Sequence, residues 1–197
     1  MDNTQSGIKR REFLKVVGAA GVGSIVSSAV HPSAANAAVM EVSTRPFGRT
    51  GIQVPILSLG TMFDTGANQL LLRQAVKWGV TYWDTAQWYN KWGSEMGIGK
   101  YLAKFPEDRK KIFLVSKSAQ RDPDGLTSEL EDSLNNLKTD YLDLFFVHAV
   151  SDAKKELTSE IRTWGEKMKA KGKIRLFGFS THSNMENCLS HAATLGW

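Results

Sequence analysis

Cysteine is almost absent from this sequence of 197 residues. Its one cysteine, Cys188, cannot form a disulfide within the chain. No cluster of cysteine and histidine has the spacing of a zinc or iron–sulfur site, so no metal site is predicted. Cys188 falls in a predicted helix, where we interpret it as a packing residue.

A strong excess of one charge is also missing. The chain carries 25 basic and 20 acidic residues, a net charge of +5. Residues 1–37 hold four basic and two acidic residues, which leaves 21 basic and 18 acidic residues in the remainder. That balance is too even to indicate nucleic-acid binding. The densest basic run, Arg109 to Lys111, is interpreted as a solvated turn before a strand.

The apolar run from Val16 to Val30 is too short for a stable membrane span. It has about 15 residues and is rich in glycine, whereas a spanning helix needs about 20. A basic segment precedes it and Ala35-Asn36-Ala37 follows it. This is the layout of a secretory signal, so we expect a signal peptide at 1–37 and the folded domain at 38–197.

The basic segment contains Arg10-Arg11 followed by Glu-Phe-Leu-Lys. This order resembles the twin-arginine export signal. The resemblance implies the twin-arginine export machinery as a partner and a periplasmic or otherwise exported location. The alternative is an amphipathic N-terminal helix on the domain, which the glycine and serine content of residues 18–28 disfavours.

Beyond residue 40 the sequence alternates between strand and helix patterns. After a predicted hairpin, predicted strands end at residues 84, 117, 148 and 180, so the intervals are 33, 31 and 32 residues. This is the period of a repeated βα unit. The predicted strands are 42–47, 52–55, 56–59, 80–83, 112–116, 141–147 and 174–179, and the predicted helices are 68–78, 93–105, 128–137, 157–170 and 185–195.

Apolar strands joined by helices predict an α/β fold with a parallel sheet covered on both faces. A doubly wound dinucleotide-binding sheet would carry Gly-x-Gly-x-x-Gly after its first strand. Residues 60–66, Gly-Thr-Met-Phe-Asp-Thr-Gly, do not match that pattern. We therefore expect a (β/α)8 TIM barrel, truncated after about five βα units, with its chemistry at the carboxyl ends of the strands.

Four polar residues follow the predicted strands: Asp84, Tyr89, Lys117 and His148. Carbonyl reduction needs an acid for the developing alkoxide. A tyrosine hydroxyl can supply that proton, and a neighbouring ammonium group favours the phenolate. The set therefore predicts Tyr89 as general acid, Lys117 as its tuning cation, Asp84 as the partner of Lys117 and His148 as the donor that orients the carbonyl.

Each of these residues also has an ordinary structural interpretation. Asp84 could cap a turn, Tyr89 could pack among Trp83, Trp88 and Trp92, Lys117 could be a solvated strand end, and His148 could be a core histidine. Four such residue types at matching strand ends favour the functional interpretation.

Three segments of the sequence resemble the aldo-keto reductase family. They are residues 79–97, with Asp84-Thr85-Ala86-x-x-Tyr89 and Gly93-Ser94-Glu95; residues 140–148, ending at His148; and residues 172–180, ending at Ser180. The resemblance extends from about residue 44 to the end of the sequence. It implies a nicotinamide-dependent oxidoreductase that reduces aldehydes or ketones, with Asp84, Tyr89, Lys117 and His148 as its catalytic set.

The resemblance also implies the cofactor and its contacts. The cofactor is NADP, with NAD as an open alternative, and a small carbonyl compound is the substrate. Gly60 and Thr61 match positions near the nicotinamide ribose, Asp84 belongs to the same region, and Ser180 matches a residue that holds the carboxamide. Thr181 stands where the family commonly has asparagine, and Ala149-Val150 replace the frequent tryptophan or arginine with proline.

Two other functions stay open at the level of sequence. The chain could be a non-catalytic cofactor-binding or regulatory subunit of the same fold, or an inactive truncated fragment with open sheet edges. Trp88 and Trp92 indicate either a pocket for aromatic or apolar aldehydes or ordinary core packing.

Overall fold

The computed structural model describes residues 42–197. A short antiparallel hairpin comes first, and a parallel sheet follows it. The hairpin pairs β1 (Thr44–Pro46) with β2 (Gln53–Pro55). The parallel strands are β3 (Ser58–Gly60), β4 (Tyr82–Asp84), β5 (Phe113–Ser118), β6 (Leu142–Val147) and β7 (Ile174–Phe179).

Helices connect successive parallel strands. They are α1 (Gln69–Lys77), α2 (Gly93–Lys104), α3 (Pro123–Leu137), α4 (Ala153–Glu156), α5 (Ser159–Ala170) and α6 (Met185–Thr194), with a 3-10 helix at Pro106–Lys110. The predicted order of strands and helices is therefore confirmed within residues 42–197.

The five parallel strands lie in the order of the sequence, β3-β4-β5-β6-β7. Their register places Gly60 beside Asp84 and Ser118 beside Val147. The carboxyl ends of the strands consequently meet at one edge of the sheet, where the four predicted catalytic residues follow them. The α/β class and the parallel sheet are confirmed, and the closed barrel stays a prediction.

Both faces of the central strand β5 are buried. Leu114 packs in a large cluster with helix residues such as Ile161, whereas its neighbour Val115 belongs to a second cluster with Val54 of the hairpin. This alternation follows from the two-residue period of a strand. Leu114, Val115 and Ile161 are fully buried, and each such side chain stabilises the fold by about 1.5–3 kcal/mol.

Two helices differ from the predictions at their starts. The helix predicted at 128–137 begins at Pro123, because the Asp122 side chain accepts a hydrogen bond from Gly125 N and caps it. The helix predicted at 157–170 begins at Ser159, because Thr158 caps it by accepting a hydrogen bond from Ile161 N, and the short α4 lies before the predicted range. Capping side chains, which the apolar period does not reveal, decide both boundaries.

The prediction of a solvated Arg109 is wrong. Arg109 is 9% exposed, and its Nη1 lies 3.0 Å from Asp143 Oδ2 on β6. Arg175 Nη1 lies 2.7 Å from the other oxygen of Asp143. The prediction for Cys188 is confirmed, because this side chain is buried on α6.

Within residues 42–197, no helix combines the length and the apolar character that a bilayer crossing requires. The same part of the chain contains no group of three or more His, Cys, Asp or Glu side chains placed to hold a metal ion. The predicted signal peptide at 1–37 lies outside the described residues.

Candidate active site

Lys117, near the end of β5, is the centre of the polar group at the sheet edge. Its side chain is 5% exposed, and its Nζ donates to Asp84 Oδ1 at 2.5 Å, Thr85 O at 2.8 Å and Tyr89 Oη at 3.2 Å. All three hydrogens of the ammonium group thus have acceptors. The carboxylate compensates the buried charge, which would otherwise be costly to bury.

His148 lies beside this group. Its ring centroid is 6.0 Å from that of Tyr89. Burial lowers the pKa of His148 below its usual 6.5, and the positive charges of Lys117, His182 and Arg121 lower it further, against the opposing effect of Asp84. The imidazole is therefore predominantly neutral at about pH 7, so it can donate one hydrogen bond and accept another.

A partly buried ion pair supports the main chain at His148. Arg121 Nη2 donates to His148 O at 2.7 Å, and Arg121 Nε donates to Glu156 Oε2 at 2.6 Å. Burial opposes the ionisation of Glu156, but hydrogen bonds from the N–H groups of Asp152 and Ser151 and from Arg121 outweigh it and lower its pKa to about 2. The loop after β6 is thus fixed by a permanently charged pair.

Gly60 and Thr61, at the end of β3, differ in exposure and in contacts. Gly60 is exposed, and a Cβ placed on it would meet no atom within 4 Å. Thr61 is fully buried, and its hydroxyl donates to Asp84 O at 2.8 Å. The Thr61 side chain therefore supports the main chain of Asp84, and its predicted cofactor contact stays a prediction.

Ser180 and Thr181 follow β7. Ser180 Oγ accepts a hydrogen bond from Ala149 N at 2.9 Å, and Ala149 has a positive φ of 56°. Thr181 Oγ1 donates to Ser183 O at 2.7 Å. Among residues 42–197 the Ser180 hydroxyl hydrogen has no acceptor, so Ser180 can donate to a ligand, whereas Thr181 uses its hydrogen within its own turn.

The loop after Tyr89 holds two exposed indoles. Trp88 and Trp92 are 54% and 48% exposed, which excludes core packing in this structure. Their ring centroids lie 5.5 Å apart. Asn90, Lys91 and Trp92 have successive φ values of 50°, 51° and 69°. Such left-handed geometry is unfavourable for side chains larger than glycine, so the surrounding contacts must hold this turn.

A cleft of about 420 Å³ opens beside Asp84 and Gly60. It extends along the sheet face past Tyr82 to the hairpin. Burial, with a smaller contribution from the negative charge of Asp84, raises the pKa of Tyr82 to about 12. Tyr82 consequently stays protonated at neutral pH, and Tyr89 is the tyrosine hydroxyl that contacts the ammonium group.

The four predicted catalytic residues lie together, and the structure adds others that the sequence interpretation did not single out. Ser94, at the start of α2, is fully buried and contacts both Thr61 and Thr85. Ser94 lies inside the quoted Gly93-Ser94-Glu95 segment, but its role depends on packing between β3 and β4. Arg121 and Glu156 are 35 residues apart, and no local pattern links them.

This arrangement suits acid catalysis beside a carbonyl group. A hydroxyl that can release a proton contacts an ammonium group, and a neutral imidazole lies next to it. The positive charge stabilises negative charge on the tyrosine oxygen when the proton leaves. The exposed Gly60 and the cleft leave space beside Asp84, the partner of that ammonium group.

Comparison with known proteins agrees with this chemistry. The Aldo/keto reductase family model matches residues 57–194. The chain is 38% identical over 112 residues to methylglyoxal reductase YeaE of Escherichia coli, covering 55% of this chain and 37% of that protein. It is 30% identical over 176 residues to the aldo-keto reductase yakc (NADP+) of Schizosaccharomyces pombe, covering 79% and 50%.

Solved structures have the same fold. Aldo-keto reductase AKR11C1 of Bacillus halodurans, in its holo form, superposes with a TM-score of 0.69 at 25% identity, covering 78% of this chain and 54% of that one. A thermostable aldo-keto reductase in complex with the inhibitor epalrestat gives a TM-score of 0.63 at 30% identity, covering 76% and 58%. The chain thus spans half or less of the two curated relatives above. It belongs to the aldo/keto reductase family.

Proposed function

We propose that the chain carries the catalytic part of an NADP-dependent reductase that converts aldehydes or ketones to alcohols. The hydrogen bond of 3.2 Å between Lys117 Nζ and Tyr89 Oη carries this proposal. The name of the S. pombe relative includes NADP+, and two relatives from Papaver somniferum are named NADPH-dependent codeinone reductases. These names support NADP as the cofactor of this chain.

The residues at the sheet edge fit a nicotinamide nucleotide. Among residues 42–197 no group donates to Asp84 Oδ2, so this oxygen can accept a hydrogen bond from a sugar hydroxyl. Gly60 leaves open space beside it. Ser180 has a free hydroxyl hydrogen for an amide oxygen. We therefore assign Asp84, Gly60 and Ser180 as the residues that would hold the cofactor. The Thr61 hydroxyl stabilises the main chain of Asp84 by donating a hydrogen bond to Asp84 O.

The bound cofactor would supply a hydride to the carbonyl carbon. Tyr89 donates its proton to the carbonyl oxygen as negative charge develops there. Lys117 stabilises the phenolate that remains, and Asp84 keeps the ammonium group charged and oriented. His148, neutral at about pH 7, donates a hydrogen bond that orients the carbonyl oxygen.

The substrate is a small carbonyl compound that carries an apolar substituent. The exposed indoles of Trp88 and Trp92 on the loop next to Tyr89 support an apolar or aromatic group. A relative named methylglyoxal reductase supports small aldehydes as well. An assay of both kinds of aldehyde with Trp88→Ala separates these preferences, because only aromatic substrates should lose affinity.

The proposal is tested by NADPH oxidation with a panel of aldehydes, using the chain, Tyr89→Phe and Tyr141→Phe. Tyr141 is a matched control because it lies away from the carboxyl ends of the strands. The centre of its ring is 3.9 Å from the guanidinium carbon of Arg109. Saturable turnover that Tyr89→Phe abolishes and Tyr141→Phe retains supports the reductase. NADPH binding with no turnover of any aldehyde favours the non-catalytic subunit.

We also propose that residues 1–37 direct export through the twin-arginine machinery to a periplasmic or other external location. The Arg10-Arg11 pair and the Ala35-Asn36-Ala37 sequence support this proposal. N-terminal sequencing of the exported protein tests it, since cleavage after Ala37 would leave Ala38 as the first residue.

A further inference from the structure

Three hydroxyl groups form a fully buried cluster beneath the polar site. They belong to Thr61 after β3, Thr85 after β4 and Ser94 at the start of α2, and each residue is 0% exposed. Ser94 Oγ lies 2.8 Å from Thr85 Oγ1, 2.7 Å from Thr61 O and 2.9 Å from Thr61 Oγ1.

The direction of these hydrogen bonds follows from the donors available. A hydroxyl has one hydrogen, and Thr61 donates its hydrogen to Asp84 O at 2.8 Å. Ser94 gives its one hydrogen to Thr61, whose carbonyl oxygen lies at 2.7 Å and whose hydroxyl oxygen lies at 2.9 Å. With that hydrogen used, Ser94 accepts from Thr85. The bonds run from Thr85 through Ser94 and Thr61 to Asp84 O, and they close a ring because Thr85 follows Asp84 in the chain.

This ring holds the segment that binds the Lys117 ammonium group. Thr85 O and Asp84 Oδ1 are two of the three acceptors of Lys117 Nζ. The third is the Tyr89 hydroxyl, and the main chain of Ser94 also donates to Tyr89 O at 3.2 Å. Ser94 therefore contacts the main chain of Tyr89 and the side chain of Thr85 directly, and it reaches Asp84 through Thr61.

We propose that Ser94 is a positioning residue that sets the distance between the Lys117 ammonium group and the Tyr89 hydroxyl. The proposal rests on the proposed reductase function, in which these two groups deliver the proton. Ser94 touches neither the substrate nor the cofactor. Its hydroxyl acts through the turn at Asp84-Thr85, and its N–H acts through the loop of Tyr89.

The test compares Ser94→Ala with Ser133→Ala. Ser133 is a buried serine on α3 whose hydroxyl lies near the Glu95 carboxyl without a hydrogen bond of good geometry, so its variant measures the loss of a buried hydroxyl outside the ring of Thr61, Thr85 and Ser94. Ser94→Ala is expected to lower kcat about 100-fold, the effect of a misplacement of roughly 1 Å. The KM for NADPH is expected to change by a smaller factor than kcat, because the hydrogen bonds of Ser94 reach Asp84 only through Thr61, while Gly60 and Ser180 are left in place. Ser133→Ala should keep the full rate and the KM of the unchanged chain.

Thr85→Val is a second test of the ring. Valine keeps the shape of threonine and replaces the hydroxyl that donates to Ser94 with a methyl group. It should lower kcat as Ser94→Ala does, and the double variant should lose no more than either alone, because residues of one network are not additive. A kcat within twofold of the unchanged chain in both variants, or equal losses in Ser94→Ala and Ser133→Ala, would overturn the proposal.

A crystal structure of Ser94→Ala separates this inference from the proposed function. Lengthening of the distance from Lys117 Nζ to Tyr89 Oη beyond 3.5 Å, from its present 3.2 Å, supports positioning by Ser94 even if no aldehyde is reduced, with 3.5 Å taken as roughly the limit of a hydrogen bond. An unchanged distance overturns the inference even if the chain proves to be a reductase.

Discussion

Lys117 contacts Tyr89 through both parts of the phenol: its Nζ lies 3.2 Å from the Tyr89 hydroxyl and 4.6 Å from the centre of the ring. A cation in this position acts on the oxygen and on the π face at once. The ammonium group cannot leave without giving up its bonds to Asp84 and Thr85 as well. This contact makes Lys117 the residue whose removal should most change the chemistry.

Lys117→Met is expected to lower kcat about 100- to 1,000-fold, the usual range for the loss of one electrostatic group at a reacting centre. The apolar stem of methionine fills much of the same space, so the fold is retained. Lys100→Met, on the exposed face of α2, is the matched control and should keep full activity. Steady-state kinetics with NADPH measures both, and equal rates for the two variants would contradict the role of Lys117.

The protonation of His148 gives a second prediction. Because burial and neighbouring cations lower its pKa, its imidazole should titrate below 6.5, as followed by NMR of the ring protons with His148→Gln to assign the signal. His182→Ala removes the electrostatic effect of His182, whose ring lies 6.4 Å from that of His148, so the pKa of His148 should rise. A titration of His148 above 6.5 in the unchanged chain would contradict the burial described here.

The pair of Arg121 and Glu156 predicts a pH dependence of stability. The pKa of Glu156 is lowered to about 2 from 4.5. The ionised carboxylate therefore stabilises the folded state fully above about pH 4.5, and this stability is lost as the pH falls toward 2. At about 1.4 kcal/mol per pKa unit the full shift corresponds to roughly 3.5 kcal/mol, and solvent screening of this partly exposed pair reduces the contribution near pH 7 to about 2–3 kcal/mol.

Glu156→Gln should lower the free energy of unfolding by that amount near neutral pH and flatten its fall between about pH 4.5 and 2, as measured by urea denaturation. Glu166→Gln is the control, because the Glu166 side chain is 62% exposed in its pair with Lys169. Exposed pairs contribute about 0–1 kcal/mol. Equal losses of unfolding free energy in the two variants would show that the pair of Arg121 and Glu156 stabilises the fold no more than an exposed ion pair does.

We expect export to depend on Arg10 and Arg11 being arginines and not on their positive charge alone. Arg10→Lys with Arg11→Lys keeps the charge and is expected to stop export through the twin-arginine machinery. Lys9→Arg, which leaves the pair intact, should have no effect. Cell fractionation followed by detection of the cleaved form measures both variants. Undiminished export of the double variant would show that another signal directs the chain.

The sequence pattern predicted the strand ends and the proximity of the polar residues there, because a repeated βα unit brings successive strand ends to one edge. Asp84, Tyr89 and Lys117 meet there as expected. The ring through Ser94 could not be predicted, since it depends on the register that pairs Gly60 with Asp84. The prediction for Arg109 failed because its acceptor, Asp143, lies on a strand 34 residues away.

The left-handed turn at residues 90–92 had no signal of its own in the sequence. Positive φ values are expected at glycine and, less often, at asparagine. Here a lysine and a tryptophan follow Asn90 in the same conformation. The backbone around them is fixed by bonds from Tyr89 N to Ala86 O and from Ser94 N to Tyr89 O, which only the folded structure reveals.

Transfer of deuterium from NADPH that carries deuterium at both C4 positions to an aldehyde, followed by mass spectrometry of the alcohol, tests the central claim most directly. If Asp84, Tyr89, Lys117 and His148 form a reductase site, the alcohol should carry one deuterium on the former carbonyl carbon, and Tyr89→Phe should form none. Saturable binding of NADPH without any deuterated alcohol would contradict the reductase and leave a cofactor-binding subunit in its place.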